Sequence, residues 1–286
     1  MLSSVCELAP SKLNLSLKVL EKRNDGFHNI ESIFQKIRLF DKLTVSRSLT
    51  AGCSLHVHGM VLPAENTVQK AYSLFAEVAK IQEGITVDLV KHIPSGAGMG
   101  GGSSDAAALL RALNSLFSAN VPQSELLRIA EQIGSDVPFF LYGDCAVVSG
   151  RGENVRSIKG RKDLYFVIIC PPVHSSTKEA YALVDEWNMD NSISKEDWSL
   201  LEDLEDVYNK PVCEWNFDNS FTQPLVNKYP KIKEALTAII ATGADFANMT
   251  GSGSAVFGVF EAQEKAQDAY NKLASCFNRC YLCDAF

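Results

Sequence analysis

Five glycines lie between Gly96 and Ser104, and a predicted helix follows them directly. Without side chains, this backbone can wrap closely around a ligand and point successive N–H groups at it. The start of the helix adds free amides and the positive end of the helix dipole. These features together predict a phosphate-binding site. A plain turn would explain one or two of these glycines but not all five.

Three common nucleotide-binding motifs do not account for this glycine segment, Gly96–Ser104. The Walker A motif needs a closing Gly-Lys-Ser or Gly-Lys-Thr, which the sequence lacks. Gly96, Gly98 and Gly101 match G-x-G-x-x-G, but a dinucleotide-binding fold also needs an acidic residue at the end of a second strand. Residues 118–134 predict a loop and a helix there instead, which weakens the hypothesis of a dinucleotide-binding oxidoreductase. The protein-kinase motifs His-Arg-Asp and Asp-Phe-Gly are absent from the sequence.

The elements that must position this segment mix strands with helices. Alternating or continuous apolar runs predict strands at 13–19, 43–46, 54–58, 85–90, 164–170, 245–260 and 279–286. Helical periodicity predicts helices at 65–82, 105–117, 123–133, 231–242 and 262–275. Ser103 or Ser104 is the expected N-cap of the second helix, with Asp105 in its first turn. The class is therefore α+β, and a polar stretch near Gly160 predicts one domain at 1–160 and another at 161–286.

Composition narrows the function classes. The chain has 286 residues, 46% of them hydrophobic, and a net charge of −7. This charge argues against a general nucleic-acid binder, which needs a basic face to replace phosphate counterions. No apolar stretch reaches the 18 residues of a membrane helix, and no leader is recognisable at the N-terminus. We therefore expect a cytoplasmic protein that acts on a small molecule.

Two further regions suggest no chemistry of their own. Cys276, Cys280 and Cys283 form a cluster near the C-terminus, but no fourth ligand completes a zinc set, so no metal site is predicted. Residues 185–221 carry 11 acidic residues against two lysines. We expect this acidic segment to be a solvated, partly helical peripheral region.

Three segments of the sequence, in order along the chain, resemble the GHMP kinase superfamily of small-molecule kinases. They are Ala9–Leu15, similar to its N-terminal motif, Pro94–Ala106, similar to its phosphate loop, and Met249–Phe257, similar to its C-terminal glycine motif. The resemblance implies an ATP-dependent transferase with two domains and an active site in the cleft between them. Magnesium would accompany ATP, held mainly by phosphates and water, since no carboxylate pair for it stands out.

Four marks are similar to the superfamily members that act on a cytidine diphosphate-linked sugar alcohol. They are Pro10–Asn14, Arg23–His28, Gly100–Asp105 and Gly134–Phe140. This similarity implies transfer of the ATP γ-phosphate to the 2-hydroxyl of an erythritol moiety, a step of non-mevalonate isoprenoid biosynthesis. A kinase for homoserine or mevalonate stays an alternative, although an aromatic residue followed by His28 has no evident use there. A catalytically silent nucleotide-binding homologue is the other alternative, although it would need neither Lys12 nor Asp136.

The resemblance also assigns catalytic roles. Asp136 matches the general base, and Lys12 matches a lysine that would lie near Asp136, hold it ionised and polarise the acceptor hydroxyl. From the residues alone, Asp136 would be a loop or cap residue and Lys12 a solvated lysine at a strand edge. Asn14 lies two residues beyond Lys12, so a strand places both on one face, and Asn14 is the expected partner of substrate or of Lys12.

Binding roles follow from the same resemblance. The residues expected to cradle the ATP phosphates are Pro94, Gly96, Gly98, Gly100, Gly101, Gly102, Ser103 and Ser104. Phe27 and Tyr181 are expected to stack on cytosine, and His28 to read its edge. From its residues alone, Tyr181 could equally be a core residue on a helix face. Gly251, Ser252 and Gly253 are expected to border the substrate diphosphate. The sequence leaves the oligomeric state open.

Overall fold

The computed structural model describes residues 2–63, 65–190 and 203–286, and both strands and helices run through them, which confirms the α+β class. The strands are β1 Ser4–Lys22, β2 His28–Ser48, β3 Cys53–His58, β4 Gly84–Val90, β5 Cys145–Gly150, β6 Asn154–Ile158, β7 Tyr165–Ile169, β8 Phe246–Met249, β9 Val256–Phe260 and β10 Cys280–Asp284. The helices are α1 Thr67–Ala79, α2 Gly101–Leu116, α3 Gln123–Ile133, α4 Thr177–Asp190, α5 Leu204–Tyr208, α6 Thr222–Lys228, α7 Pro230–Ile240 and α8 Gln263–Ala274.

The chain forms two compact units that are discontinuous in sequence. The first contains the chain up to Ser11, Leu39–Pro94 and Gly100–Gly143, and the second contains Lys12–Arg38, Ser95–Met99 and Asp144–Phe286. The glycine segment is therefore divided between the units after Met99. The predicted domain division after residue 160 stays a prediction.

In the first unit, the second half of β2 pairs antiparallel with β4, and β3 pairs parallel with β4. The helices α1, α2 and α3 pack against one another. Helix α2 is buried over most of its length, and Leu109, Leu113 and Leu116 are at most 1% exposed. Such a largely buried helix gives the glycine segment a rigid end point.

In the second unit, an antiparallel sheet has the strand order β10-β7-β9-β8. Its continuous apolar strands pack against α7 and α8, and Val167, Ile232, Phe260 and Leu273 belong to this core. A separate set of pairings joins the first half of β2 to β5 and β5 to β6. Within the described ranges, no helix combines the length and apolar character needed to cross a bilayer.

The acidic segment departs from its expectation where the structure describes it. Tyr208, Trp215, Phe217 and Phe221 are all buried, and Trp215 packs its ring against Tyr208 and Phe217. The prediction of a solvated region is wrong here. It was based on the many acidic residues, whereas the aromatic residues between them are part of the buried core. Residues 191–202 of the segment lie outside the described residues.

Candidate active site

Helix α2 begins earlier than the sequence predicted. Gly100 is its N-cap, with a left-handed φ of +72°, and the Ser104 N–H donates to the Gly100 carbonyl at 2.9 Å. The expectation of Ser103 or Ser104 as N-cap is therefore wrong, and so is that of Asp105 in the first turn, because Asp105 lies buried beyond it. Glycine can adopt this conformation without strain, which lets the helix start inside the glycine run.

The hydroxyls near this helix start are placed unequally. Ser103 is half-buried, whereas Ser104 is 1% exposed and its Oγ has no hydrogen-bond partner among the described residues. Thr67 donates its hydroxyl to the Gly102 carbonyl at 2.7 Å, and Pro94, just before the glycines, is buried. A buried hydroxyl without a partner fits a phosphate oxygen that would accept from it.

In the second unit, the glycine segment meets the C-terminal glycine turn, Gly251–Gly253. Gly98 has a φ of +77°, and a Cβ there would lie 2.2 Å from the Thr250 carbonyl oxygen. A Cβ on Gly251 would in turn lie 3.0 Å from the Gly98 Cα. Only glycine permits such close approach of two backbones. Two motifs that are remote in sequence are thus brought together.

Lys12 and Asn14 lie beside this junction. Lys12 is 3% exposed, its Nζ donates to Asn14 Oδ1, and the same Nζ lies 4.5 Å from the centroid of the Phe34 ring. Asn14 Nδ2 donates to Ser32 Oγ at 2.9 Å, and the Asn14 N–H donates to Thr250 Oγ1 at 2.9 Å. Lys12 and Asn14 share one face of β1, as expected, but Lys12 is a buried residue and not a solvated one at a strand edge.

Asn219 was not identified from the sequence. Its Nδ2 donates to the carbonyls of Met249 and Gly251, at 2.7 and 3.0 Å, and its Oδ1 accepts from the Phe221 N–H at 2.9 Å. Because Asn219 is 1% exposed, these bonds form away from competing water. Asn219 therefore holds the backbone of Met249 and Gly251 where the chain enters the glycine turn. Nothing in the sequence around Asn219 predicted these contacts.

Around His28, rings and charges form the His28 cluster, defined here as Lys22, His28, Tyr181 and Asp185. The His28 and Tyr181 rings stack with centroids 5.1 Å apart and planes 18° apart. His28 Nε2 lies 2.8 Å from Asp185 Oδ1, and since a carboxylate can only accept, Nε2 carries the hydrogen. Lys22 Nζ reaches the other oxygen of Asp185 at 3.2 Å. Phe27 is 56% exposed on the preceding turn.

Tyr181 has more than one contact in this region. Its ring packs edge-on against Phe221, with centroids 4.9 Å apart, in addition to stacking on His28. Phe27 lies against the Arg151 guanidinium, 5.1 Å from its ring centroid. The structure therefore brings Tyr181 and His28 together and leaves more than half of Phe27 open to solvent.

The remaining predicted residues occupy loops and turns. Asp136 is half-buried in the turn between α3 and a 3-10 turn at Pro138–Leu141. Ser252 Oγ lies 3.3 Å from Thr177 Oγ1 at the start of α4. At the first residue of the glycine segment, a Cβ on Gly96 would lie 3.4 Å from His174 Nδ1.

Burial suppresses the reactivity of several thiols. All eight cysteines are free. Burial raises the pKa of Cys145, Cys170 and Cys283 to about 12, and that of Cys280 to about 11. These thiols therefore stay protonated at neutral pH. In the part of the chain that the structure describes, no group of three His, Cys, Asp or Glu residues is arranged to hold a metal ion.

Two known protein families match successive parts of the chain. The family of GHMP kinases N terminal domains matches residues 66–144, and the family of GHMP kinases C terminal domains matches residues 193–279. A protein of Treponema pallidum (strain Nichols) named 4-diphosphocytidyl-2-C-methyl-D-erythritol kinase is 37% identical over 271 residues, which are 93% of each chain.

Solved structures give the same result for the fold. A crystal structure of 4-(cytidine 5'-diphospho)-2C-methyl-D-erythritol kinase superimposes with a TM-score of 0.81 at 32% identity, covering 98% of this chain and 99% of that one. A homoserine kinase from Cytophaga hutchinsonii superimposes with a TM-score of 0.69 at 20% identity, covering 99% of this chain and 95% of that one. At that lower identity, the likeness concerns the fold alone.

Proposed function

We propose a reaction for this chain, which belongs to the GHMP kinase superfamily and, within it, to the family of the 4-diphosphocytidyl-2-C-methyl-D-erythritol kinases. The chain transfers the ATP γ-phosphate to the 2-hydroxyl of 4-diphosphocytidyl-2-C-methyl-D-erythritol. The chain is thus a small-molecule kinase, a transferase of isoprenoid precursor biosynthesis. The observation that carries the proposal is the meeting of Gly98 with Thr250 and Gly251 beside Asn14 and buried Lys12. A buried ammonium beside two glycine backbones suits a phosphate-rich substrate.

We assign the glycine segment to ATP. Phosphoryl transfer depends on positioning and on neutralising the charge of the phosphates. The free amides at the start of α2 and the unpartnered Ser104 hydroxyl supply donors for phosphate oxygens. The proposed phosphate contacts are Pro94, Gly96, Gly98, Gly100, Gly101, Gly102, Ser103 and Ser104. Magnesium enters the proposal as the counterion that this chemistry requires.

Proton transfer and charge stabilisation fall to other residues. We assign Asp136 as the general base that accepts the proton of the acceptor hydroxyl. Lys12 would stabilise negative charge on the transferring phosphoryl group, and its hydrogen bond to Asn14 holds the ammonium in one position. Asn14 is in turn held by Ser32 and Thr250, so the lysine has a rigid support.

The acceptor's cytosine belongs, in this proposal, to Phe27, His28 and Tyr181. Phe27 offers an exposed ring face for stacking. With Nε2–H of His28 directed at Asp185, Nδ1 is the ring nitrogen that can accept from the exocyclic amine of cytosine. Gly251, Ser252 and Gly253 would border the diphosphate. We place the reaction in the cytoplasm, a reducing compartment that suits eight free cysteines.

The test is ADP release from ATP and magnesium with separate acceptors. We expect turnover with 4-diphosphocytidyl-2-C-methyl-D-erythritol and none above background with homoserine or mevalonate. Turnover with either of the other alcohols would keep the superfamily and reject the cytosine assignment. Tight ATP binding without turnover on any acceptor would instead indicate a catalytically silent homologue.

The role of Asp136 is tested by Asp136→Ala. Loss of a general base should lower kcat by about 10² to 10⁴-fold while calorimetric ATP binding survives. Glu131→Ala, which removes an exposed acidic residue from the neighbouring helix α3, is the matched control and should keep normal turnover. Normal turnover by Asp136→Ala would remove Asp136 from the role of base.

A further inference from the structure

In the first unit, a group of buried charged side chains lies beside the start of α2. This Lys91 cluster consists of Lys91, Asp41 and Asp105, whose side chains are 4%, 0% and 2% exposed. Lys91 Nζ donates to Asp41 Oδ2, and also to Asp105 Oδ2 at 2.6 Å. Ammonium and carboxylate groups are almost never buried without partners, so these three residues stabilise one another.

Asp41 fixes the chain just before the glycine segment. Its Oδ1 accepts from the backbone N–H groups of His92 and Ile93, at 2.6 and 2.9 Å. These residues follow Lys91 directly and lead into Pro94. The carboxylate of a β2 residue thus holds the point at which the chain leaves the sheet toward the glycines.

Asp105 fixes the chain just after the glycine segment. It is part of helix α2, and its link to Lys91 ties the first turns of that helix to the same ammonium. A Cβ on Gly101 would lie 3.3 Å from Lys91 Nζ and 3.1 Å from Ile93 Cγ2. The backbone at the helix start therefore approaches the ammonium closely, and a side chain at this position would press against it.

We propose that the Lys91 cluster is a positioning device that holds both ends of the glycine segment and so sets the α2 amides and Ser104 for the phosphates of ATP. The proposal rests on the proposed function. A glycine-rich loop loses more conformational freedom on ordering than any other sequence, and that loss weakens ligand binding. Fixing both ends in advance reduces the loss, because the loop is already closed before the ligand arrives.

The cluster also carries an excess negative charge when all three groups are ionised. Burial, together with the facing Asp41 carboxylate, raises the pKa of Asp105 to about 7, although the Lys91 ammonium lowers it. A hydrogen bond with Asp41 also favours the protonated form of Asp105, while Asp105 Oδ1 has no partner among the described residues. Protonation of Asp105 removes this excess charge, whereas ionised Asp105 adds a negative charge beside the start of α2 and disfavours ATP.

The experiment measures the calorimetric Kd of magnesium ATP, without acceptor, for the wild-type chain and three variants between pH 6 and pH 8.5. Asp105→Ala removes the link to α2 but leaves Lys91 paired with Asp41, so the protein should fold. Its Kd should rise roughly ten- to a hundredfold over the wild type at pH 6. Asp105→Asn keeps an acceptor for Lys91 and should bind like the wild type at pH 6. Glu125→Ala, at an exposed ion pair with Arg128, is the control.

Comparison across the pH range isolates the charge, because the titration of ATP itself is common to all the proteins. Wild-type binding should weaken relative to Asp105→Asn as the pH rises through 7. The proposal would be overturned if Asp105→Ala bound magnesium ATP with the wild-type Kd, or if Asp105→Asn and Asp105→Ala lost affinity equally. It would also be overturned if the Kd of the wild type and that of Asp105→Asn changed in parallel with pH. Failure of the wild type itself to bind ATP would reject the proposed function instead.

Discussion

The Lys91 cluster and the His28 cluster both pair aspartate with basic side chains, but water reaches their charges to different extents. In the Lys91 cluster one ammonium donates to two aspartates, whereas in the His28 cluster one aspartate accepts from Lys22 and His28. In the Lys91 cluster no side chain exceeds 4% exposure, whereas Lys22 and Asp185 of the His28 cluster are 58% and 28% exposed. Water screens the second set of charges and is excluded from the first.

This difference assigns the two clusters different functions. Buried charges fix a backbone firmly, because removing one partner leaves another charge without compensation. Charges that water reaches contribute little to stability and stay available to a ligand. We therefore expect the Lys91 cluster to govern folding and loop geometry, and the His28 cluster to govern recognition of the acceptor.

Lys91→Met should have the largest effect on stability. It leaves the buried carboxyl groups of Asp41 and Asp105 without their ammonium, so the free energy of unfolding should fall by about 3–5 kcal/mol at pH 7 in a urea titration. The deficit should grow toward pH 8.5, because ionisation of Asp105 adds a second uncompensated charge. Arg128→Met is the control, since Arg128 forms an exposed pair with Glu125 and should change stability by less than about 1 kcal/mol. If Lys91→Met and Arg128→Met had the same free energy of unfolding, the buried charges would be no more important for stability than the exposed pair.

Phe27→Ala tests recognition in the second region. Loss of base stacking should weaken acceptor binding by about 1–3 kcal/mol, seen as a higher KM for the cytidyl acceptor with a nearly unchanged KM for ATP. Leu49→Ala removes another exposed apolar side chain and should leave both constants unchanged. If Phe27→Ala keeps the wild-type acceptor KM, the ring does not belong to the site.

Lys22→Met should have the smallest effect. Its ion pair with Asp185 is largely exposed, so the free energy of unfolding should change by about 0.2–1 kcal/mol at low salt, and by less at high salt. Urea titrations at two ionic strengths measure the difference. A loss as large as that of Lys91→Met would show that exposure does not separate the two clusters.

The periodicity of apolar residues in the sequence predicted most of the helices and strands. Helix α3 occupies residues 123–133, as predicted, because its apolar residues repeat on one face. The start of α2 was wrong because glycines carry no side-chain pattern, and propensity favours serine as the N-cap. The burial of Trp215 and Phe217 was missed because the neighbouring acidic residues lowered the local hydrophobicity.

The candidate site was predictable where a motif is continuous and not where a contact is long-range. Lys12, Asn14 and the glycines lie within motifs that resemble the superfamily. Asn219 touches Met249, which is 30 positions away, and Asp41 touches Lys91, which is 50 positions away. A single sequence without an alignment shows no link between such residues.

The most direct test of the central claim is the position of the phosphate in the product. Wild-type protein, ATP and 4-diphosphocytidyl-2-C-methyl-D-erythritol should yield ADP and one product, whose phosphorus NMR spectrum shows a new phosphomonoester beside an intact diphosphate. Coupling between this phosphorus and the carbon that bears the 2-hydroxyl should locate the new bond. Release of ADP with no new phosphomonoester, or a phosphate on any other hydroxyl, would contradict the account.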